Sequence, residues 1–168
     1  YEYWQSIWEK QGLHTPKAGK GGKFFLTAAF PYPNSPQHIG HGRTYTTTDI
    51  YARYMRMKGK NVLFPMGFHV TGTPIIAMAG RLSEKDPEIL SIFEKIYHIS
   101  RETSQTLTEP NELVAYFSRE IEAGMKLMGF SIDWRHEYYT IDKEYHRKVQ
   151  LSLLEMYEKG MVYRGKHP

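Results

Sequence analysis

The sequence predicts an α/β layer in which a few parallel strands are flanked by a larger number of helices. Three observations predict it. Phe24–Phe30 is a short apolar run bounded by glycine and proline, the pattern of a buried strand. A helical periodicity follows from Ile39, and a second apolar run, Val62–Phe64, completes a β-α-β unit whose strands should be parallel with a right-handed crossover. Past Met66 the chain reads as helical.

Taken in order, Tyr1–Glu9 reads as a helix already under way. Lys17–Lys23 is a basic, glycine-rich loop, and it lacks the Gly-Lys-Ser/Thr ending of a P-loop. Pro31, Pro33 and Pro36 forbid helix after the first strand. The next helix starts near Ile39, with an expected apolar stripe of Ile39, Thr46, Ile50, Tyr54 and Met57. Arg56 and Lys58 suit its carboxyl end, and Gly59 supplies the left-handed residue that stops it. Pro74–Leu82 is a short helix. Asp86 caps another, with Pro87 in its first turn and Leu90, Phe93 and Ile96/Tyr97 along one face. Asn111–Met128 carries the stripe Leu113, Phe117, Ile121, Met125 and Met128, and Gly129 ends it. Tyr145–Lys159 comes next, with Asp142 near its start, Val149, Leu153 and Met156 inside, and Gly160 after it. Met161–Tyr163 reads as the start of a strand. Two or three strands do not complete a doubly wound sheet, so part of the fold is expected outside this chain.

Composition sets the bounds. With 168 residues, 40% of them apolar and 24% charged, the chain suits one soluble domain. A net charge of +4 is compatible with an anionic partner but does not by itself demand one. The absence of cysteine excludes disulfides and thiolate metal sites within the chain. No apolar run reaches the ~18–20 residues of a membrane span and no secretory leader is evident, so the expected location is the cytoplasm.

The chemistry concentrates where the first strand empties through the proline turn onto a helix start, in His38-Ile39-Gly40-His41. Unpaired amides at Ile39–Arg43 and the helix dipole favour an anion. Gly40 and Gly42 leave room for close approach of a base or phosphate. His38 and His41 can donate to phosphate oxygens without adding fixed charge. No Ser-His-Asp or Cys-His arrangement is evident, so the expected chemistry is positioning and charge stabilisation. A second cluster, Phe68-His69-Val70-Thr71-Gly72-Thr73-Pro74-Ile75, lies after the second strand, where His69 and Thr71 can meet the polar end of a small ligand and Phe68 can form an apolar wall. A third, Gly129–Arg135, holds Asp133 and Arg135, read as a local structural pair.

These residues carry a resemblance. His38–His41 is the literal HIGH signature of class I aminoacyl-tRNA synthetases. Together with Phe30–Gln37, Arg53–Gly67, the His-x-Thr-Gly-x-Pro-Ile segment from His69, and Gly129–Trp134 and Leu154–Arg164, the whole chain resembles the start of leucyl-tRNA synthetases of the archaeal/eukaryotic cytosolic type. The resemblance implies the first half of a Rossmann-like catalytic domain over residues 1–168. The editing domain, the Lys-Met-Ser-Lys-Ser half and the anticodon-binding region would lie outside this chain. It implies activation of leucine with ATP and Mg²⁺ to leucyl-adenylate and transfer to tRNA(Leu), with no protein-bound metal, by a full-length protein expected to be a monomer. It assigns His38 and His41 to catalysis, Pro33, His38, Gly40 and His41 to ATP, and Phe30, Tyr32 and His69 to the amino acid. Bacterial relatives usually carry an acidic residue at the position of His69. The piece alone is expected to be inactive or very weak. Alternatives are a methionyl, isoleucyl or valyl enzyme, a small nucleotidyltransferase with a His-x-Gly-His site, or a non-catalytic RNA-binding module.

Overall fold

A computed structural model describes residues 2–166 other than Ala18 and Lys20; the expectations placed on Tyr1, Ala18, Lys20, His167 and Pro168 lie outside the described residues. The order is α1 (Glu2–Lys10), β1 (Lys23–Phe25), α2 (Ile39–Met57), β2 (Asn61–Leu63), β3 (Met66–Phe68), α3 (Thr73–Ser83), α4 (Pro87–Lys95), α5 (Arg101–Thr106), α6 (Pro110–Leu127), β4 (Glu137–Tyr139) and α7 (Lys143–Glu158).

Residues 61–70 form the axis of the layer. Its odd-numbered residues face residues 22–31: Asn61 N–H donates to Gly22, Leu63 accepts from Leu26, and His69 N–H donates to Pro31. Its even-numbered residues face 133–140: Phe64 accepts from Asp133, Phe68 accepts from Thr140, and Val70 N–H donates to the Thr140 hydroxyl. Both ladders, β1 with β2 and β3 with β4, are parallel. The strand expected over Phe24–Phe30 is therefore cut to Lys23–Phe25, and Phe25 is exposed. Pro65 gives the reason. It falls on the side facing residues 22–31 and has no N–H to donate, so the ladder stops there. The same interruption divides the axis into β2 and β3, and β3 lies where the sequence suggested helix.

Two apolar cores form. One gathers Val62, Phe64, Met66 and Phe68 of the axis with Tyr45 and Ala52 of α2. The other gathers Ile75, Ala79 and Leu82 of α3 with Ile89 and Phe93 of α4. Helix α6 joins them, giving Ile121 and Met125 to the first and Leu113 and Phe117 to the second. Gly59 and Gly129 come after α2 and α6 with φ of 77° and 72°, as expected of helix stops. Asp86 caps α4, accepting from Glu88 and Ile89 N–H.

Several faces differ from expectation. The buried side of α2 is Tyr45, Asp49 and Ala52, whereas Ile39, Ile50, Tyr54 and Met57 are exposed. Polarity misled here because Asp49 is buried by its partners rather than by apolarity. Met128 and Ile96, each placed at the end of a stripe, are exposed because their helices have stopped by then. Helix α7 forms, but it buries no residue; Val149 and Leu153 stay exposed because no described element packs over them. Residues 161–166 hold no strand.

Asp49 is the hub that fixes α2. It accepts from Ser131 N–H (2.6 Å), Ser131 Oγ (2.5 Å) and Arg53 Nε (2.7 Å). Arg56 donates to Ser131 Oγ and, at 2.9 Å, to its carbonyl, while Arg53 Nη2 reaches the Gly129 carbonyl. Two cations thus compensate one buried carboxylate and clamp α2 to the loop after α6. Arg53 also lies over the Trp8 ring, and Gln5 donates to the Leu127 carbonyl, so α1 joins the same clamp.

Candidate active site at the start of helix α2

The turn from Leu26 to Gln37 is held at two points: Tyr45 Oη donates to the Ala29 carbonyl at 3.0 Å, and His69 N–H donates to the Pro31 carbonyl at 2.9 Å. Burial pushes the Tyr45 phenol up to about 12, so it stays a donor throughout the physiological range. Pro31 and Pro33 are buried. Pro33 therefore stiffens the turn from within.

The two histidines form a reciprocal cap. His38 has extended backbone at the N-cap of α2, and its Nδ1 accepts from Gly40 N–H at 3.0 Å. His41 Nδ1 accepts from His38 N–H at 3.3 Å. This is a capping box built from imidazoles instead of hydroxyl and carboxylate. The rings lie together, with centroids 4.1 Å apart. His38 and Gly40 are exposed and His41 half-buried. With each Nδ1 accepting in the cap, the N–H of each ring sits on Nε2. Burial, and then the neighbouring His38, lower the His41 pKa below the ordinary histidine value. The result is two imidazole N–H donors on one helix start.

This revises the expected anion site. The amides of Gly40, His41 and Gly42 are not unpaired: the first bonds His38 Nδ1, and the other two bond the His38 carbonyl. The open donors of the two side chains are imidazole N–H groups. Gly40 has a corresponding reason to be glycine, since a Cβ there would sit 2.7 Å from His38 Cε1 and 2.9 Å from its Nδ1. A Cβ at Gly42 would meet nothing within 4 Å, so no contact in this chain requires glycine there.

The second cluster lies across the His69–Pro31 bond. The His69 ring stacks on Tyr32, with centroids 4.2 Å apart and planes 22° from parallel, and His69 Nε2 lies 3.4 Å from Tyr32 Oη. Phe30 meets Tyr138 edge-on at 5.1 Å. Thr71 Oγ1 is 3.2 Å from Thr140 Oγ1. Phe68 is fully buried in the core, so it is no wall for a ligand. Asp133 and Arg135 pair as expected, through two bonds of 2.8 and 2.7 Å, and the guanidinium lowers the Asp133 pKa. Tyr138 and Thr140 gave no sequence signal, because three-residue β4 shows no periodicity. Among the described residues, no group of three or more His, Asp or Glu is placed to hold a metal ion, and no helix is long and apolar enough to cross a membrane.

Residues 3–168 match the family model described as tRNA synthetases class I (I, L, M and V). The chain is 52% identical over 168 residues to leucine--tRNA ligase 2 of Sulfurisphaera tokodaii, covering 99% of this chain and 18% of that protein. It is 45% identical over 161 residues to leucine--tRNA ligase of Methanopyrus kandleri, covering 96% and 17%. Among solved structures it is similar to the LeuRS of Agrobacterium radiobacter in a ternary complex with tRNA and LeuAMS, with a TM-score of 0.71 and 25% identity over 98% of this chain and 18% of that one. The chain thus spans under a fifth of the length of these relatives. The HIGH tetrapeptide on a strand–turn–helix and the match along nearly the full sequence agree: this chain belongs to the class I tRNA synthetases of the isoleucyl, leucyl, methionyl and valyl group.

Proposed function

We propose that residues 1–168 form the first half of the catalytic domain of a leucine--tRNA ligase. The whole enzyme would activate leucine with ATP and Mg²⁺ and transfer it to tRNA(Leu) in the cytoplasm, acting as a monomer. The observation that carries this reading is the pair of imidazoles sharing a cap at the start of α2. It is supported by relatives that are named leucine--tRNA ligases.

In this reading the leucine carboxylate attacks the α-phosphorus of ATP. An O–P bond forms, the bond to the β-phosphate oxygen breaks, and pyrophosphate leaves with Mg²⁺. The enzyme needs no nucleophile of its own; it needs alignment and donors aimed at charge developing on phosphate oxygens. His38 and His41 supply two such donors through Nε2. Gly40 keeps the His38 ring in its cap beneath the base. Pro33 stiffens the turn beside the ATP site. Phe30, Tyr32 and His69 line the amino-acid site, with the His69 ring fixed by its stack on Tyr32. Leucine differs from its competitors by methyl placement worth ~1–3 kcal/mol, which is why an editing domain elsewhere in the protein is expected.

The test is amino-acid-dependent ATP–pyrophosphate exchange by the full-length protein. Leucine should support exchange well above methionine, isoleucine and valine; preference for one of those three would reassign the enzyme. Residues 1–168 alone should show little exchange, and exchange at the full-length rate would refute the assignment of this chain as half a site.

A further inference from the structure

Phe30 does not stand alone in the amino-acid site proposed above. It forms a T-shaped pair with the Tyr138 ring of β4, planes at 90°, and Tyr138 is itself backed by Tyr145 of α7, stacked at 5.7 Å. Both Phe30 and Tyr138 are half-buried, so the pair lies at the edge of the core with part of its surface open. Beneath Tyr138 lies Gly67 of β3, paired directly with it in the parallel ladder. A Cβ at Gly67 would come within 2.8 Å of Tyr138 Cε2 and 3.1 Å of its Cδ2 and Cζ. Gly67 is buried, so a methyl there would press on the Tyr138 ring, which Phe30 and Tyr145 flank. The Tyr138 hydroxyl makes no hydrogen bond among the described residues, so the ring acts by shape.

We propose that Tyr138, seated on Gly67, is a positioning residue that sets the width of the pocket for a branched aliphatic amino-acid side chain by fixing Phe30. This rests on the assignment of Phe30 to the amino-acid site. The physical basis is packing: an edge-to-face pair fixes ring angle as well as distance, and a site that separates aliphatic side chains works on differences of one methyl group. The parallel β3–β4 pairing places a residue more than a hundred positions away in sequence behind a wall residue of the turn.

The test uses the full-length enzyme and ATP–pyrophosphate exchange. Tyr138→Leu is expected to raise the leucine KM about tenfold and to narrow the preference for leucine over methionine, while the ATP KM moves by less than about twofold. Tyr138→Phe should retain the parent values, since only shape is used. Gly67→Ala should mimic Tyr138→Leu, and combining the two should be no worse than Gly67→Ala alone, because the leucine side chain yields the space the methyl needs. An unchanged leucine KM and preference in Tyr138→Leu overturns the proposal. So does a parallel rise in the ATP KM, or loss of folding in Tyr138→Leu while Tyr138→Phe stays folded, since either marks the ring as merely structural. If the parent enzyme fails to activate leucine, the functional reading fails instead, and the two failures are distinct.

Discussion

Replacing His38 separates what its ring does for the helix from the role proposed for it in the reaction. Nδ1 accepts from Gly40 N–H at 3.0 Å, and Nε2–H is left to donate. His38→Ala removes both functions. Loss of the cap costs about 1 kcal/mol of helix stability. Loss of one donor aimed at developing negative charge costs about 3–4 kcal/mol in the transition state, or roughly 10²–10³ in rate. His38→Asn divides the two, because asparagine is among the best N-cap residues but its short amide does not extend to where Nε2 sits. The asparagine variant of the full-length enzyme should therefore match the parent in thermal denaturation while losing nearly as much ATP–pyrophosphate exchange as the alanine variant. Recovery of parent-level exchange by His38→Asn would show that the ring is a cap and nothing more. A loss of exchange tracking a loss of melting temperature across both variants would refute the reasoning equally.

The same geometry sets three further expectations. Gly40→Ala should force the His38 ring out of its cap and lower exchange by a similar factor; near-parent exchange would mean that the ring can shift without cost. Asp49→Ala leaves the Ser131 donors and Arg53 without their carboxylate, a loss of about 1–3 kcal/mol for buried donors left unpaired. It should accelerate hydrogen exchange along α2 in the full-length enzyme, and unchanged protection there would show that the clamp is dispensable. Burial and the adjacent Arg56 lower the His14 pKa from 6.5 to about 4. The unfolded chain then binds the extra proton first, so the stability held through His14 is complete above pH 6.5 and is lost as pH falls toward 4, by at most about 3 kcal/mol. His14→Gln should flatten the acid side of the melting-temperature profile over that window; an unaltered slope would show that His14 is not the group responsible.

The start of α2 was legible because its signals are local. Prolines that forbid helix, a capping position and a glycine two residues on all fall within ten positions, and the helix begins at Ile39 as the residues require. The ends of α2 and α6 were equally plain, since a left-handed glycine stops a helix wherever the chain runs. The buried face of α2 was not legible. Asp49 goes inside because Ser131 and Arg53 bond it there and Arg56 bonds Ser131 beside it. The two arginines share its helix, but Ser131 lies 82 positions away.

The chain's own pattern determined where backbone direction changes, which histidines share a helix start, and that the two first strands run parallel, because φ preference, capping and apolar spacing act between near neighbours. Tertiary structure alone decided that Pro65 cuts the ladder, that Asp49 is buried against Ser131, and that Tyr138 stands behind Phe30. Those outcomes depend on which hydrogen-bonding edges and ring faces meet across the layer, and segments as short as three residues carry no periodicity from which such a meeting can be read.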